Sequence, residues 1–218
     1  MNNLLLYGGT FDPPHLGHLQ IARNVQAFFQ FEHFIFLPCK TQILKPAASA
    51  NAFHRIKMLC LNLEKDPFFE IDLREIRRSS PSFMVDTLRS YRDEKGPKTA
   101  ISILLGMDAF MQLPEWHQWE SLLDNCHLLV VQRPGIDNAN IPQTLRDLLQ
   151  QREVTTSSHL LNTAAGCIYR FDAGNYPIAS STLRKDINQQ TQGLAAPVHQ
   201  YIKQQGLYSA AKPSDQAV

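Results

Sequence analysis

The chain has 218 residues, 44 % of them hydrophobic and 19 % charged, enough for one sizeable domain with a real core and of a soluble, globular composition. Twenty-one basic residues stand against 20 acidic ones, with eight histidines besides. That balance excludes a bulk electrostatic case for nucleic acid or an anionic membrane as partner, so any phosphate chemistry must come from a local site.

In chain order, apolar segments of strand length fall at 3–7 (NLLLY), 33–37 (HFIFL), 68–73 (FFEIDL), 100–105 (AISILL), 127–131 (HLLVV) and 167–171 (CIYRF). Several are near-continuous in Leu, Ile, Val and Phe, as expected for strands covered on both faces. Helical spacing fills the intervals at 16–29, 53–64, 84–93, 117–124, 142–151, 181–191 and 197–205; in 53–64, Ile56, Leu59, Cys60 and Leu63 share a face. The alternation predicts an α/β fold: a Rossmann-like, doubly wound, mainly parallel sheet of about six strands with helices on both faces. One domain is expected over 1–208 and a frayed tail over 209–218. The long loop 38–52 reads as functional.

No apolar run approaches the ~20 residues of a membrane span, and LLLY is too short for a secretory signal. Cys39, Cys60, Cys126 and Cys167 are scattered without a C-x-x-C pair, which predicts reduced, mostly buried thiols rather than a disulfide or zinc framework. A cytoplasmic protein is expected.

The chemistry concentrates in GGTFDPPHLGH, residues 8–18. A strand ending in Gly8 and Gly9 and feeding a helix builds an anion site, because glycine allows close backbone approach and helix N–H groups point at the ligand. The pattern is neither G-x-G-x-x-G nor the Walker-type G-x-x-x-x-G-K-[ST]. His15 and His18, three residues apart, can converge on one point and donate to phosphate oxygens as charge builds up. Solvated or capping histidines are the plain alternative. A metal pair needs a third ligand, for which only Asp12 offers itself. Further on, Ser180, Ser181 and Thr182 stand at a helix start with Arg184 one turn in, a well-capped helix or a phosphate grip. Asp108 and Arg133 each follow a strand, at the carboxyl end where open α/β sheets bind ligands. The two tryptophans of LPEWHQWESL read first as core residues, with Trp119 the better suited.

GGTFDPPHLGH resembles the signature of the nucleotidyltransferase superfamily with an H-x-G-H motif, and the chain from 4 to 208 resembles the bacterial nicotinate-nucleotide adenylyltransferases. The resemblance implies transfer of the adenylyl group of ATP to nicotinate mononucleotide, giving nicotinate adenine dinucleotide and pyrophosphate in NAD biosynthesis. It implies His15, His18 and Arg184 as catalytic residues, and Gly8, Gly9, Thr10, Phe11, Asp108, Arg133, Ser180 and Ser181 around ATP. PSFMVDTL (81–88) is similar to the family's P-S-Y-T-V-D-T-L, with Phe83 for tyrosine and Met84 for threonine. With Trp116 stacking on the pyridine ring, His117 beside it and Lys45 on the phosphate, these residues would form the acceptor site. Lys40 is the alternative to Lys45, and Arg55 a phosphate or structural contact. PIASSTLRKDI (177–187) matches I-S-x-T-x-x-R, with Ala179 where the first serine would stand. APVHQYIKQQGLY (196–208) matches the family's closing helix and is expected to do no chemistry. Mg²⁺ would arrive with ATP, with no protein metal site. Adenylyl transfer to nicotinamide mononucleotide or phosphopantetheine, a nucleotide-binding protein without turnover, and a metal-dependent hydrolase are the competing functions.

Overall fold

A computed structural model describes residues 2–40, 47–132, 141–185, 187 and 192–209. Six strands form one sheet: β1 (Asn3–Gly9), β2 (His33–Pro38), β3 (Phe69–Ile71), β4 (Ala100–Gly106), β5 (His127–Gln132) and β6 (Ile168–Asp172). Their order is β3-β2-β1-β4-β5-β6, and every neighbouring pair is parallel. The helices between them are α1 (Leu16–Phe29), α2 (Ala52–Leu63), α3 (Arg74–Arg77), α4 (Met84–Lys95), α5 (Met107–Met111), α6 (Gln143–Arg152), α7 (Ser158–Asn162), α8 (Ser180–Lys185) and α9 (Ala196–Gln205).

The near-continuous apolar strands have a direct cause. Successive side chains leave a strand on opposite faces, and here both faces are covered. Leu4, Leu6, Ile101, Ile103, Leu128 and Val130 pack with Val85, Leu88 and Tyr91 of α4 and Leu145 of α6. Leu5, Tyr7, Phe34, Phe36, Leu129 and Val131 pack on the other face with Leu19, Ala22 and Val25 of α1 and Leu59 and Leu63 of α2. A third, smaller cluster joins Met58 of α2 to Leu183, Leu194, Val198 and Ile202, and so lays the C-terminal helix over α2.

The strand pairing opens a crevice at one place. β1 pairs with β4 only from Asn3–Ala100 to Leu6–Ile103. Beyond that point, Tyr7 to Gly9 continue against β2 alone, and Leu104 to Gly106 against β5 alone. The chain winds outward in both directions from this pair, the switch point at which open α/β sheets hold ligands.

Several sequence expectations need correction. No α-helix covers 117–124; two short 3₁₀ turns stand there instead, Leu113–Glu115 and Trp119–Ser121. Pro114 is the second residue of the first, and Gln118 takes a left-handed φ of 52°, which stops helical propagation between them. The short helices α3, α5 and α7 carry too few turns to show a period. The helix expected at 181–191 is α8 as far as Lys185; residues 186 and 188–191 lie outside the described residues, as do 210–218 of the tail. Of the four cysteines, all free, only Cys126 is buried, while Cys60 is exposed. Among the described residues, no helix is long and apolar enough to cross a membrane.

Candidate active site

The β1–α1 turn is built around its two histidines. His15 is the N-cap of α1, just outside the helix, and His18 is its third residue. Nδ1 of His15 accepts from the backbone N–H of His18, and Nδ1 of His18 accepts from the backbone N–H of His15, each at 3.3 Å. This reciprocal box is ordinarily made by Ser or Thr with Glu. Building it from imidazoles has a chemical consequence. A neutral ring that accepts at Nδ1 carries its proton on Nε2, so the box sets both rings in the tautomer that offers an N–H donor. The rings stack at 3.7 Å between centroids. His15 is 5 % exposed, while His18 is half-buried.

Gly17, between them, leaves little room for a side chain. A Cβ there would stand 3.0 Å from Nδ1 of His15 and 3.5 Å from Cβ of Ile178. At Gly9 a Cβ would stand 2.9 Å from the Phe11 ring, which would have to shift. Phe11 itself holds a left-handed φ of 50° and is 2 % exposed. Its ring meets those of Tyr7, His18 and Phe36 at 5.2–5.7 Å, so its side chain underpins His18. Thr10 follows with its carbonyl accepting from Arg55 at 2.7 Å. Arg55 is 1 % exposed and also reaches the Lys40 carbonyl, a tie between two loops.

Asp12 belongs to the scaffold of this turn. It is 4 % exposed, and its carboxylate accepts from the Ser49 N–H (2.7 Å), the Ala50 N–H (3.1 Å) and the Tyr208 hydroxyl (2.6 Å). These bonds use three of the roughly four acceptor sites of the carboxylate. Among the described residues, no three His, Cys, Asp or Glu side chains gather as a metal set.

The Ser180–Arg184 segment docks on the same turn. The Ser180 hydroxyl donates to the Pro13 carbonyl at 2.9 Å, and Nη1 of Arg184 donates to the Asp12 carbonyl at 2.6 Å. Leu16 N–H adds a bond to the Gly193 carbonyl. Ser181 is exposed at the start of α8. Ser180 and Arg184 are thus brought onto the Asp12–Pro13 main chain that leads into His15 and His18. Across the crevice, Asp108 is exposed in the first turn of α5, directly after β4.

The 81–88 segment meets the other side of β1. The Met84 methyl lies 3.1 Å from where a Cβ of Gly8 would be. Phe83 caps the start of α4, and its ring overlies that of His117 at 4.2 Å. Trp116, Trp119, Phe83 and Met84 are all half-buried and pack on the same core cluster, so neither tryptophan is fully interior. Beneath them, Glu75 is 3 % exposed and accepts from the Thr87 hydroxyl at 2.8 Å. Burial pushes the Glu75 carboxyl above the usual carboxylate range, and the Thr87 and Ser82 hydroxyls and the Arg78 charge pull it part of the way back. Lys40 donates to the Arg78 carbonyl at 2.8 Å. Lys45 and Arg133 lie outside the described residues.

Gly17 lies in the H-x-G-H motif and Tyr208 ends the APVHQYIKQQGLY match, but the sequence gives neither a role in the site. The signal for Gly17 was present, a glycine inside a strongly amphipathic helix start. For Tyr208 the signal is its place as the last residue of the G-L-Y match, three residues beyond α9.

A parallel sheet with this order, carrying an H-x-G-H turn at its switch point, defines a class of nucleotide-handling proteins. The cytidylyltransferase-like family model matches residues 6–186. A protein of Legionella pneumophila (strain Corby) named as a probable nicotinate-nucleotide adenylyltransferase is 38 % identical over 211 residues, covering 95 % of this chain and all of that one. A probable nicotinate-nucleotide adenylyltransferase of Serratia proteamaculans (strain 568) is 36 % identical over 206 residues, 93 % of this chain and 94 % of that one. The chain belongs to the cytidylyltransferase-like family and, within it, to the nicotinate-nucleotide adenylyltransferases. The fold is shared with Plasmodium falciparum nicotinic acid mononucleotide adenylyltransferase complexed with NaAD, at a TM-score of 0.70 and 19 % identity over 95 % of this chain and 98 % of that one.

Proposed function

We propose that the protein transfers the adenylyl group of ATP to nicotinate mononucleotide, releasing pyrophosphate and forming nicotinate adenine dinucleotide, a step of NAD biosynthesis. The observation that carries this reading is the reciprocal His15–His18 box at the β1–β4 crevice, with Ser180 and Arg184 drawn onto the same turn. The 35–38 % identity to relatives so named supports the acceptor.

The acceptor phosphate is already an anion at neutral pH, so attack on the α-phosphorus needs no general base. Catalysis then consists of holding two anions in line and stabilising the charge that develops on the α-phosphate and the leaving pyrophosphate. His15 and His18 present Nε2–H donors to the triphosphate, fixed in that tautomer before ATP arrives. Arg184, Ser180 and Ser181 take the β- and γ-phosphates, and the backbone at Gly8, Gly9 and Thr10 follows the nucleotide. Phe11, which the resemblance puts at ATP, is buried and acts instead through His18, whose ring it meets edge to face at 5.2 Å. Asp108 and Arg133 belong to the nucleoside side. Mg²⁺ enters as part of the ATP complex, largely water-ligated. Phe83, Met84, Trp116 and His117 form the acceptor face, with Lys45 on its phosphate. One domain over 1–208, a tail over 209–218 and a cytoplasmic location complete the reading.

The test is pyrophosphate release with ATP and a panel of acceptors: nicotinate mononucleotide, nicotinamide mononucleotide and phosphopantetheine. Turnover is expected with the first. Preferred turnover of another acceptor reassigns the substrate, and nucleotide binding without release in any arm makes the protein a binder.

A further inference from the structure

The closing segment of the chain reaches the phosphate end of the site through one hydroxyl. Helix α9 is capped by Gly206, whose left-handed φ of 60° turns the chain back, and the Leu207 N–H returns to the Ile202 carbonyl. Tyr208 then takes a left-handed φ of 62° itself. That conformation is unfavourable for a residue with a Cβ and persists where surrounding contacts determine it. The contact is the bond from the Tyr208 hydroxyl to Oδ1 of Asp12 at 2.6 Å, across 196 residues of sequence.

Asp12 stands between this hydroxyl and Arg184. Its Oδ2 accepts from Ser49 N–H at 2.7 Å, and its Oδ1 accepts from Ala50 N–H at 3.1 Å besides the hydroxyl. Nη1 of Arg184 is anchored on the main-chain carbonyl of Asp12, but it stays 3.8 Å from Oδ2. That is an ion-pair separation, beyond a hydrogen bond. The carboxylate is satisfied by three other donors, and the guanidinium, about one-third exposed, is held near it without being clamped to it.

We propose that Tyr208 is a positioning residue for Arg184: by occupying Asp12, its hydroxyl keeps the buried carboxylate from drawing the guanidinium away from the nucleotide phosphates. Without the hydroxyl, Oδ1 keeps only its 3.1 Å bond. A buried, under-satisfied carboxylate then recruits a nearby donor, and Arg184 is already within ion-pair distance. The inference rests on the assignment of Arg184 to the ATP phosphates given above.

The experiment is a cycle of Tyr208→Phe, Arg184→Ala and the double variant, each with KM for ATP, KM for nicotinate mononucleotide, kcat and a thermal melt. Tyr208→Phe keeps the ring and removes one hydrogen bond to a charge. It is expected to raise KM for ATP about tenfold while KM for the acceptor stays within about twofold. In the Arg184→Ala background it should add nothing further. A Tyr208→Phe protein that does not fold, that moves both KM values alike, or whose effect simply adds to that of Arg184→Ala makes Tyr208 a structural strut and overturns the proposal. If Arg184→Ala raises KM for ATP and Tyr208→Phe does not, the Tyr208 inference alone fails. If Arg184→Ala leaves KM for ATP unchanged, the phosphate assignment of Arg184 fails, and the inference with it.

Discussion

At the β1–α1 turn, His15 is buried, both imidazoles are held by backbone N–H groups, and Asp12 is tied down by three donors. Across the crevice, Phe83, Met84 and Trp116 are half-buried side chains leaning on the core, and His117 is exposed. The turn proposed to take the phosphates is fixed by hydrogen bonds with directions; the face proposed for the acceptor is made of half-buried side chains packed on the core. The contrast follows the chemistry each end is proposed to do. Charge developing on a phosphate is stabilised only by donors already in place, because reorganising them during the step would cost what they contribute. A flat aromatic acceptor is bound by area and stacking, which tolerate small displacements.

That contrast can be broken at either end. The largest effect is expected for His18→Ala, which removes one donor and half of the capping box: kcat should fall by about 10²–10³-fold, with a circular dichroism spectrum like that of the parent. Near-normal turnover of the folded variant would sink the phosphate role. Gly17→Ala changes no functional group, yet its new Cβ would press on the His15 ring at 3.0 Å. It should cost about tenfold in kcat and about 2–4 °C in Tm through a displaced donor, and a silent variant would show that ring placement there is loose.

Trp116→Ala tests the acceptor end, where KM for nicotinate mononucleotide should rise about fivefold with KM for ATP nearly unchanged. Equal changes in both would remove the stacking assignment. The smallest effect is expected beneath that end, from Glu75→Gln. Because burial raises the Glu75 carboxyl, the folded state holds its proton more tightly than the unfolded chain. Its contribution to stability is therefore complete below the ordinary carboxylate range and is lost as pH rises through the raised folded value. Glutamine has no proton to lose, so its advantage in Tm over the parent should grow by about 2 °C between about pH 4 and pH 8. An advantage that shrinks over that range would reverse the sign of the burial effect.

Much of the architecture was legible because a sheet covered on both faces demands apolar residues at most positions of its central strands. All six strands and the long helices α1, α2, α4, α6 and α9 could be read within a residue or two. The short elements were not, since three to five residues cannot display a helical period. In the site, His15, His18, Ser180 and Arg184 could be named, but not how they meet. A capping role for His15 is one of the readings its sequence position allows, but a histidine N-cap lies outside ordinary preferences, and the reciprocal bond with His18 is visible only in three dimensions. Asp12 was weighed as a metal ligand, because its type says nothing about the three donors that occupy it.

The amino-acid sequence by itself determined the alternation of strands and helices, the parallel sheet and the set of polar residues at its carboxyl end. These follow from local period and composition, which act over a few residues. Only the tertiary structure decided that Asp12, Arg184 and Tyr208 share one cluster, and that β1 and β4 part after Leu6 and Ile103. Those are contacts between segments up to 196 residues apart. Their partners are set by how whole elements pack, and no local pattern of residues carries that information.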